Sequence, residues 1–163
     1  MSDQVLTPNL QVARVTPPHK LLIPIDATDA VNCAINYAVR RAAEGTAVEV
    51  HLLYITEPVH AWEVLKFRTR QEVLEHFRQR SEIFLAKAGK ALAAAKIPHR
   101  EQYLESDAID GILTVAQESG CTEIVLPEKT RMGVFAYKVT SKLRASTTDI
   151  PVVLAQEDGS VLH

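Results

Sequence analysis

Two groups of side chains in this sequence have the chemistry to bind a charged ligand. Asp26 directly follows a short apolar run, and Lys129, Arg131 and Lys138 lie close together in a later segment. A carboxylate can orient a polar ligand or a metal ion, whereas lysine and arginine hold anions through charge-assisted hydrogen bonds. Each group also has a purely structural interpretation, with Asp26 as the N-cap of a helix and the basic residues as a solvated surface loop.

Standard catalytic motifs are absent from the sequence. The closest two of its six glycines, Gly111 and Gly120, are nine positions apart. This spacing excludes the glycine-rich loops that cradle a dinucleotide or a triphosphate, and the nucleophile elbow of hydrolases. None of the six histidines forms an HExxH motif, and the two cysteines do not form a CxxC pair. We therefore predict that the protein is not an enzyme.

Composition and charge exclude several classes of protein. The chain has 163 residues, of which 47% are hydrophobic and 23% charged, as in an ordinary soluble domain with one core. Its formal net charge of -2 gives no basic field for nucleic acid or an acidic membrane, and no apolar run approaches the roughly 18 residues of a membrane span. With only two cysteines and no leader pattern at the N-terminus, we expect a cytoplasmic protein without a nucleic-acid or membrane partner.

Five short segments with the pattern of strands alternate with segments of helical periodicity, and these elements must position the candidate side chains. Four of them are mainly apolar and predict β-strands at 21–25, 48–55, 123–127 and 151–155, and a more polar segment predicts a further strand at 99–104. The intervening segments predict helices over 30–44, over 107–119 and from Thr140 to about Ser146. A further helical segment extends up to residue 96, with a break between Val59 and Arg70 that separates a short helical insertion from a long crossover helix. This alternation predicts an α/β protein, a single doubly wound domain whose five-stranded parallel sheet carries helices on both faces.

The same pattern divides the chain into a domain and two flanking segments. We expect an irregular N-terminal arm at 1–19, the α/β domain at 20–155 with a helical insertion at about 59–80, and a frayed C-terminal tail at 156–163. Ligands of such sheets bind beyond the carboxyl ends of the strands, where the strand order reverses. Asp26 and a basic loop at 128–139 both follow predicted strands, so we expect them at the same edge of the sheet.

Three stretches of the sequence resemble the universal stress protein family. They are the run from Lys20 to Asp26 with the helix after it, the run from His51 to Pro58, and the segment that leads from Ser106 through Ile124 to Leu126 and on to Pro151 and Leu154. The resemblance extends over roughly residues 20–155 and follows the family's order of elements. It implies a five-stranded sheet of order 3-2-1-4-5 and a homodimer formed through the last strand, at about Pro151 to Ala155.

The resemblance also implies an ATP site between the ends of the first and fourth strands, as in many members of the family. Asp26 would contact the nucleotide, with Pro24 and Ile25 beside it, and Ile55 would pack against adenine. The family's phosphate-binding glycines fall on Pro127, Thr130 and Thr140, the last followed by Ser141, so all three glycines are missing here. A complete site would consist of Pro24, Ile25, Asp26, Ile55, Pro127, Lys129, Thr130, Arg131, Thr140 and Ser141.

The missing glycines separate the functional hypotheses. Pro127 has no amide hydrogen to donate to a phosphate, and Thr130 and Thr140 place side chains where phosphate needs close contact with the backbone. We therefore expect a dimeric binding or regulatory module of the stress response in which nucleotide binding is weak or absent. One alternative is an ATP-binding switch with slow hydrolysis, in which ATP, ADP or AMP binds with Mg²⁺ and Lys129, Arg131 and Ser141 hold the phosphates. Another is a module that binds an unidentified protein through residues 59–80.

Overall fold

Five parallel strands and the helices between them make up most of the structure, a computed structural model. It describes residues 17–26, 30–58, 69–128, 134–146 and 149–161, with the backbone alone over 134–138. The strands are β1 (His19–Ile25), β2 (Val48–Thr56), β3 (His99–Glu105), β4 (Glu123–Pro127) and β5 (Val152–Ala155). The helices of the described residues are α1 (Val31–Ala43), α2 (Arg70–Ala94), α3 (Ala108–Glu118) and α4 (Val134–Ala145). The sheet has the order β3-β2-β1-β4-β5, which confirms the predicted fold.

The sheet lies in the middle of the molecule because its central strands are apolar on both faces. Leu21, Leu22 and Ile23 of β1 are fully buried, as are Ile124 and Val125 of β4. Such continuous apolar runs suit parallel strands that helices cover on both sides. One core lies between the sheet and helices α1 and α2, and the other lies between the sheet and helices α3 and α4.

A capping box fixes where the long crossover helix begins. The Thr69 hydroxyl accepts a hydrogen bond from the Glu72 amide, and the Glu72 carboxylate accepts one from the Thr69 amide. α2 therefore starts at Arg70, at the end of the interval in which the sequence predicts a break. Residues 70–80, which belong to the predicted insertion, are the first turns of this helix, whereas residues 59–68 lie outside the described part of the chain.

Helix α4 begins earlier than the sequence predicts. The sequence predicts a loop over 128–139 and a helix from Thr140, whereas the structure has helical backbone from Val134 to Ala145. No glycine or proline lies between Val134 and Ala145, so nothing local prevents the helix from extending toward its N-terminus. Thr140 consequently lies in the middle of the helix and not at its start.

The C-terminal tail is more ordered than the sequence predicts. Residues 156–161 do not fray but turn back, and Val161 lies opposite Ala155 as an antiparallel pair. The side-chain amide of Asn36 in α1 donates a hydrogen bond to the Glu157 carbonyl, 121 positions away in the chain. The Asp158–Gly159 pair is a local signal for a turn, whereas the docking of the turn depends on a partner so distant in the chain that the local sequence gives no sign of it.

Candidate functional site

A cleft opens between the carboxyl ends of β1 and β4, the two strands at which the order of the sheet reverses. β1 pairs with β2 over seven residues but with β4 over only two. Pro24 in β1 and Pro127 at the end of β4 have no amide hydrogen, so neither leaves a donor unsatisfied when the strands diverge. The two prolines thus permit an opening at the place where ligands of such sheets bind.

The wall of this cleft is mainly apolar. Side chains from β1, β2 and β4, from α3 and α4 on one face of the sheet and from the start of α1 on the other line a volume of about 120 Å³, with Asp26, Glu57 and Thr140 as the polar residues of the lining. One water needs roughly 10–15 Å³ on the same measure. The cleft therefore has room for the apolar part of a small organic ligand, with a few polar groups to orient it.

Six residues of the predicted nucleotide site line this one cleft. They are Pro24, Ile25, Asp26, Ile55, Pro127 and Thr140. Ser141, the next residue of α4, is exposed and does not contribute to the lining. Lys129, Thr130 and Arg131 lie outside the described residues. The structure thus brings the described part of the predicted site together, except for Ser141.

Asp26 lies half-buried in the cleft, directly after β1. α1 begins only at Val31 with Ala30 as its N-cap, and no side chain caps that end, so Asp26 is not the N-cap of this helix. The Asp26 carboxylate also affects the hydroxyl of Tyr54. Burial raises the pKa of Tyr54, the positive charge of Arg80 lowers it, and the negative charge of Asp26 raises it further. The N-cap interpretation of Asp26 is therefore wrong, and its side chain contributes to the lining of the cleft.

The backbone at the end of β4 offers a phosphate few hydrogen-bond donors. Pro127 has none, and the Glu128 amide donates to the Ala155 carbonyl of β5 at 2.8 Å. The Thr140 amide lies inside α4 and is committed to the helical hydrogen bond, so the hydroxyl is its remaining donor. Two of the three positions that the resemblance assigns to phosphate contacts thus lack a free amide, and the third, Thr130, is not among the described residues.

The charged groups of the described cleft are acidic. Asp26 and Glu57 line it, and Glu128 follows Pro127 at the end of β4. No lysine or arginine of the described residues contributes to the lining. Carboxylates repel phosphate groups, and the repulsion grows as the surroundings exclude water. The described cleft therefore suits the nucleoside part of a nucleotide better than a triphosphate.

Gly111 allows helix α3 to approach the sheet beside Ile55. A Cβ atom at this position would lie 3.1 Å from Cδ1 of Ile55 and 3.2 Å from Cδ2 of Leu104. Carbon atoms in good contact are about 3.5–4.0 Å apart, so a larger residue would push α3 away from β2 and β3. The close approach also brings Ala108 and Ile112 of α3 into the wall of the cleft.

Sequence reasoning missed several apolar residues of this wall. Leu53, Leu126 and Val139 line the cleft in addition to Ala108 and Ile112. A signal existed for the two residues of α3, because they are four positions apart and share the inward face of the helix. None existed for Val139, because the sequence predicts a loop there.

The described residues contain neither a membrane-spanning helix nor a metal site made of protein side chains alone. None of their helices is both long and apolar enough to cross a bilayer. No three histidine, cysteine, aspartate or glutamate side chains among them converge where they could hold a metal ion.

The chain is similar to proteins of known sequence family and structure. The sequence model of the universal stress protein family matches residues 18–153. A structure from that family, from Burkholderia pseudomallei, superimposes with a TM-score of 0.65 at 17% identity, covering 83% of this chain and 93% of that one. No curated protein sequence matches significantly.

Two further similar structures contain a nucleotide. The universal stress protein from Archaeoglobus fulgidus in complex with dAMP has a TM-score of 0.60 at 18% identity, covering 84% of this chain and 97% of its own. A family protein from Arabidopsis thaliana with AMP bound has a TM-score of 0.58 at 13% identity, covering 85% of this chain and 92% of its own. At these identities the similarity shows that the fold is shared.

Proposed function

Since the chain belongs to the universal stress protein family, we propose that it acts as a binding and regulatory module of the stress response. In this proposal the protein works in the cytoplasm as a homodimer joined through β5. The cleft between β1 and β4 binds an adenine nucleotide weakly, without turning it over.

One observation carries the proposal: the cleft combines an apolar wall with the half-buried carboxylate of Asp26 at the reversal of strand order. An apolar wall suits the faces of a purine base, and a carboxylate accepts hydrogen bonds from ribose hydroxyls. The similar structures with dAMP and AMP bound support a ligand of this class. We place the base against Ile55 and the ribose at Asp26.

The missing backbone donors of Pro127 in β4 and Thr140 in α4 support weak binding of the phosphates. A hydrogen bond to a charged group contributes about 1.5–3 kcal/mol, so the loss of two, at Pro127 and Thr140, lowers the affinity by about two to four powers of ten. Repulsion from Glu57 and Glu128 grows with the number of phosphates. We therefore expect ATP to bind no more tightly than AMP.

Isothermal titration calorimetry with AMP and with Mg-ATP tests this proposal. We expect a dissociation constant weaker than micromolar for Mg-ATP, an AMP affinity that is at least as high, and loss of AMP binding in Asp26→Asn. Asp149→Asn is the matched control, because Asp149 is exposed and outside the lining of the cleft, and it should bind AMP like the wild type.

Each part of the proposal has an outcome that contradicts it. A micromolar or tighter dissociation constant for ATP would show that the phosphates are well held despite the missing amides. AMP binding that survives Asp26→Asn would remove the role of Asp26. An absence of binding heat with millimolar AMP would show that the cleft is not a nucleotide site.

The two alternative functions have less support. A hydrolytic ATP switch requires Ser141 at the phosphates, and Ser141 is exposed outside the lining of the cleft. Its other phosphate ligands, Lys129 and Arg131, are not among the described residues. The interaction module that acts through residues 59–80 stays a prediction, because most of the segment before α2 is not described.

A further inference from the structure

The C-terminal residues turn back along the outer edge of β5 as soon as the strand ends. The Gly159 amide donates to the Gln156 carbonyl at 2.9 Å, and the Gln156 amide donates to the Ser160 carbonyl at 2.8 Å. Val161 then lies opposite Ala155 as an antiparallel pair. Residues 156–161, the C-terminal turn, thus occupy the position beside the end of β5 where a further strand of the sheet would lie.

Three contacts hold the C-terminal turn against α1. The Asn36 side-chain amide donates to the Glu157 carbonyl at 2.8 Å. Gly159 has a φ of +83°, and a Cβ atom there would lie 2.6 Å from the Asn36 carbonyl oxygen. Val161 is half-buried against the core beneath α1. Because Gly159 fits only without a side chain, the docking of the turn depends on this residue.

The outer edge of β5 offers few backbone groups to another strand. The carbonyls of Pro151 and Ala155 accept hydrogen bonds from amides of the chain along β4, so the backbone groups of the odd-numbered residues face β4. The backbone groups of Val152, Leu154 and Gln156 therefore point away from the sheet. Since the Gln156 amide is bonded within the C-terminal turn and Val161 lies opposite Ala155, the turn occupies the outward side of the strand from Leu154 to Gln156, and of the described outward groups of β5 those of Val152 lie clear of it.

We propose that the C-terminal turn is a cover that limits self-association of the protein through β5. The inference rests on the homodimer of the proposed function. In an antiparallel pairing of two β5 strands centred on Leu154, the Leu154 residues of the two copies form the central pair. Gln156 of each copy then pairs with Val152 of the other, which gives two outer pairs. The docked turn blocks both outer pairs and restricts the central pair as well. Release of the turn makes all three hydrogen-bonded residue pairs available.

The contacts that hold the turn are few enough for it to be released. Arg40 of α1 and Asp158 of the turn form an ion pair with their charged atoms 4.0 Å apart. Their side chains are 50% and 68% exposed to solvent, respectively. Exposed ion pairs of this kind contribute little. The docking of the turn therefore depends on the Asn36 hydrogen bond, the fit of Gly159 and the burial of Val161.

Gly159→Val tests the cover without changing any residue of β5. The new side chain clashes with the backbone of Asn36 and forces the turn off α1. Gly45→Val is the matched control, because Gly45 has a φ of +94° but no atom within 4 Å of its Cβ position. It introduces the same kind of backbone strain without a clash. Asn36→Ala, which removes one hydrogen bond to the turn, is a second and milder variant.

Sedimentation equilibrium of the full chain measures the dissociation constant of the homodimer for each variant. We expect Gly159→Val to dimerise about tenfold more tightly than the wild type, since the released edge adds at least two hydrogen bonds, one from the Gln156 amide of each copy. Asn36→Ala should change the dissociation constant in the same direction by a smaller factor, and Gly45→Val should leave it unchanged. Faster hydrogen exchange of the Gln156 amide in Gly159→Val reports that the turn has been released.

The outcomes separate this inference from the homodimer on which it rests. A dimer in the wild type that is equally strong or weaker in Gly159→Val, with the turn released, overturns the cover and leaves the homodimer standing. If Gly159→Val does not fold, an unchanged or weaker dimer in Asn36→Ala overturns it instead. If every variant stays monomeric at millimolar concentration, the homodimer itself is wrong, and the cover with it.

Discussion

Tyr37, Arg41 and Glu123 connect α1 to the start of β4 through a closed set of hydrogen bonds. The Tyr37 hydroxyl donates to Glu123 Oε2 at 2.6 Å, and Arg41 Nη1 donates to the Tyr37 oxygen at 2.6 Å and to Glu123 Oε1 at 3.0 Å. The ring of Tyr37 is buried, and the two charged side chains are mostly so. Because hydrogen bonds between partly buried charged groups are stronger than those in water, the stability of the fold should respond to the protonation of this cluster.

We expect Tyr37 to make the protein less stable at high pH. Burial, followed by the hydrogen bond to Glu123 and the charge of that residue, raises the pKa of Tyr37 from 10.0 to about 12. The folded state therefore holds this proton more tightly than the unfolded state. Its contribution to stability is complete below about pH 10 and is lost as the pH rises from there toward 12.

Denaturant unfolding of the wild type and of Tyr37→Phe, between about pH 8 and pH 11.5, measures this contribution. The variant lacks the titrating hydroxyl and serves as the reference for all other groups. The wild type should be more stable than the variant at pH 8, and the difference in the free energy of unfolding should shrink as the pH rises. A difference that stays constant over this range would show that Tyr37 ionises as easily in the folded protein as in the unfolded chain.

Single residues of the candidate site could be located from the sequence only where a strand ends nearby. Asp26 was predictable because an uninterrupted apolar run stops there and the carboxyl ends of parallel strands gather ligands. The state of the Thr140 amide was not predictable, because it depends on where α4 begins. The hydrogen bond of the Glu128 amide was not predictable either, because its acceptor, the Ala155 carbonyl, belongs to another strand that only the folded sheet brings beside it.

Helix α3 shows how a secondary-structure element positions the candidate site. Its first two turns supply Ala108 and Ile112 to the wall of the cleft, and Gly111 between them lies against Ile55 of β2. The distance between helix and sheet is thus set by a residue without a side chain, at the point where the ligand site begins. A change of that distance should alter both the stability of the fold and the shape of the cleft.

Gly111→Val should destabilise the fold by overpacking. The new side chain would clash with Ile55 and Leu104, and inserting such a group into a packed core costs about 1–3 kcal/mol. Thr114→Val is the control, because Thr114 is exposed on the same helix and receives the same residue. Urea unfolding of both variants checks this prediction. Equal free energies of unfolding for the two variants would mean that α3 moves away from the sheet at no cost.

The elements themselves were predictable to different degrees. All five strands were predicted close to their observed bounds. β1, β2, β4 and β5 are mainly apolar runs with few alternatives, whereas β3 is mostly polar and was located by Pro98, which ends the helix before it. The start of α4 at Val134 was missed, since the basic residues before it suggested a loop. The C-terminal turn was missed because its contacts lie in α1, which only the folded chain brings near.

Two places of the sheet, within the part of the chain that the structure describes, bear on the proposed functions. One is the reversal between β1 and β4, where the strands diverge and the cleft forms. The other is the outer edge of β5, which the C-terminal turn partly covers. The alternation of strands and helices predicted the doubly wound class from physical rules alone, whereas the order of the strands came from the family resemblance. Periodicity fixes what each segment forms but does not determine on which side of β1 the chain continues.

Magnetic resonance titration of ¹⁵N-labelled protein with AMP tests the central claim most directly, because each backbone amide reports its own surroundings. The account predicts that the shifts concentrate at the carboxyl edge, on Ile25, Asp26, Ile55 and Thr140, and leave the amino ends of β2 and β3, at Val48 and His99, unchanged. Shifts that cluster at the amino edge, or that spare the cleft while the ligand binds elsewhere, would contradict a nucleotide site between β1 and β4.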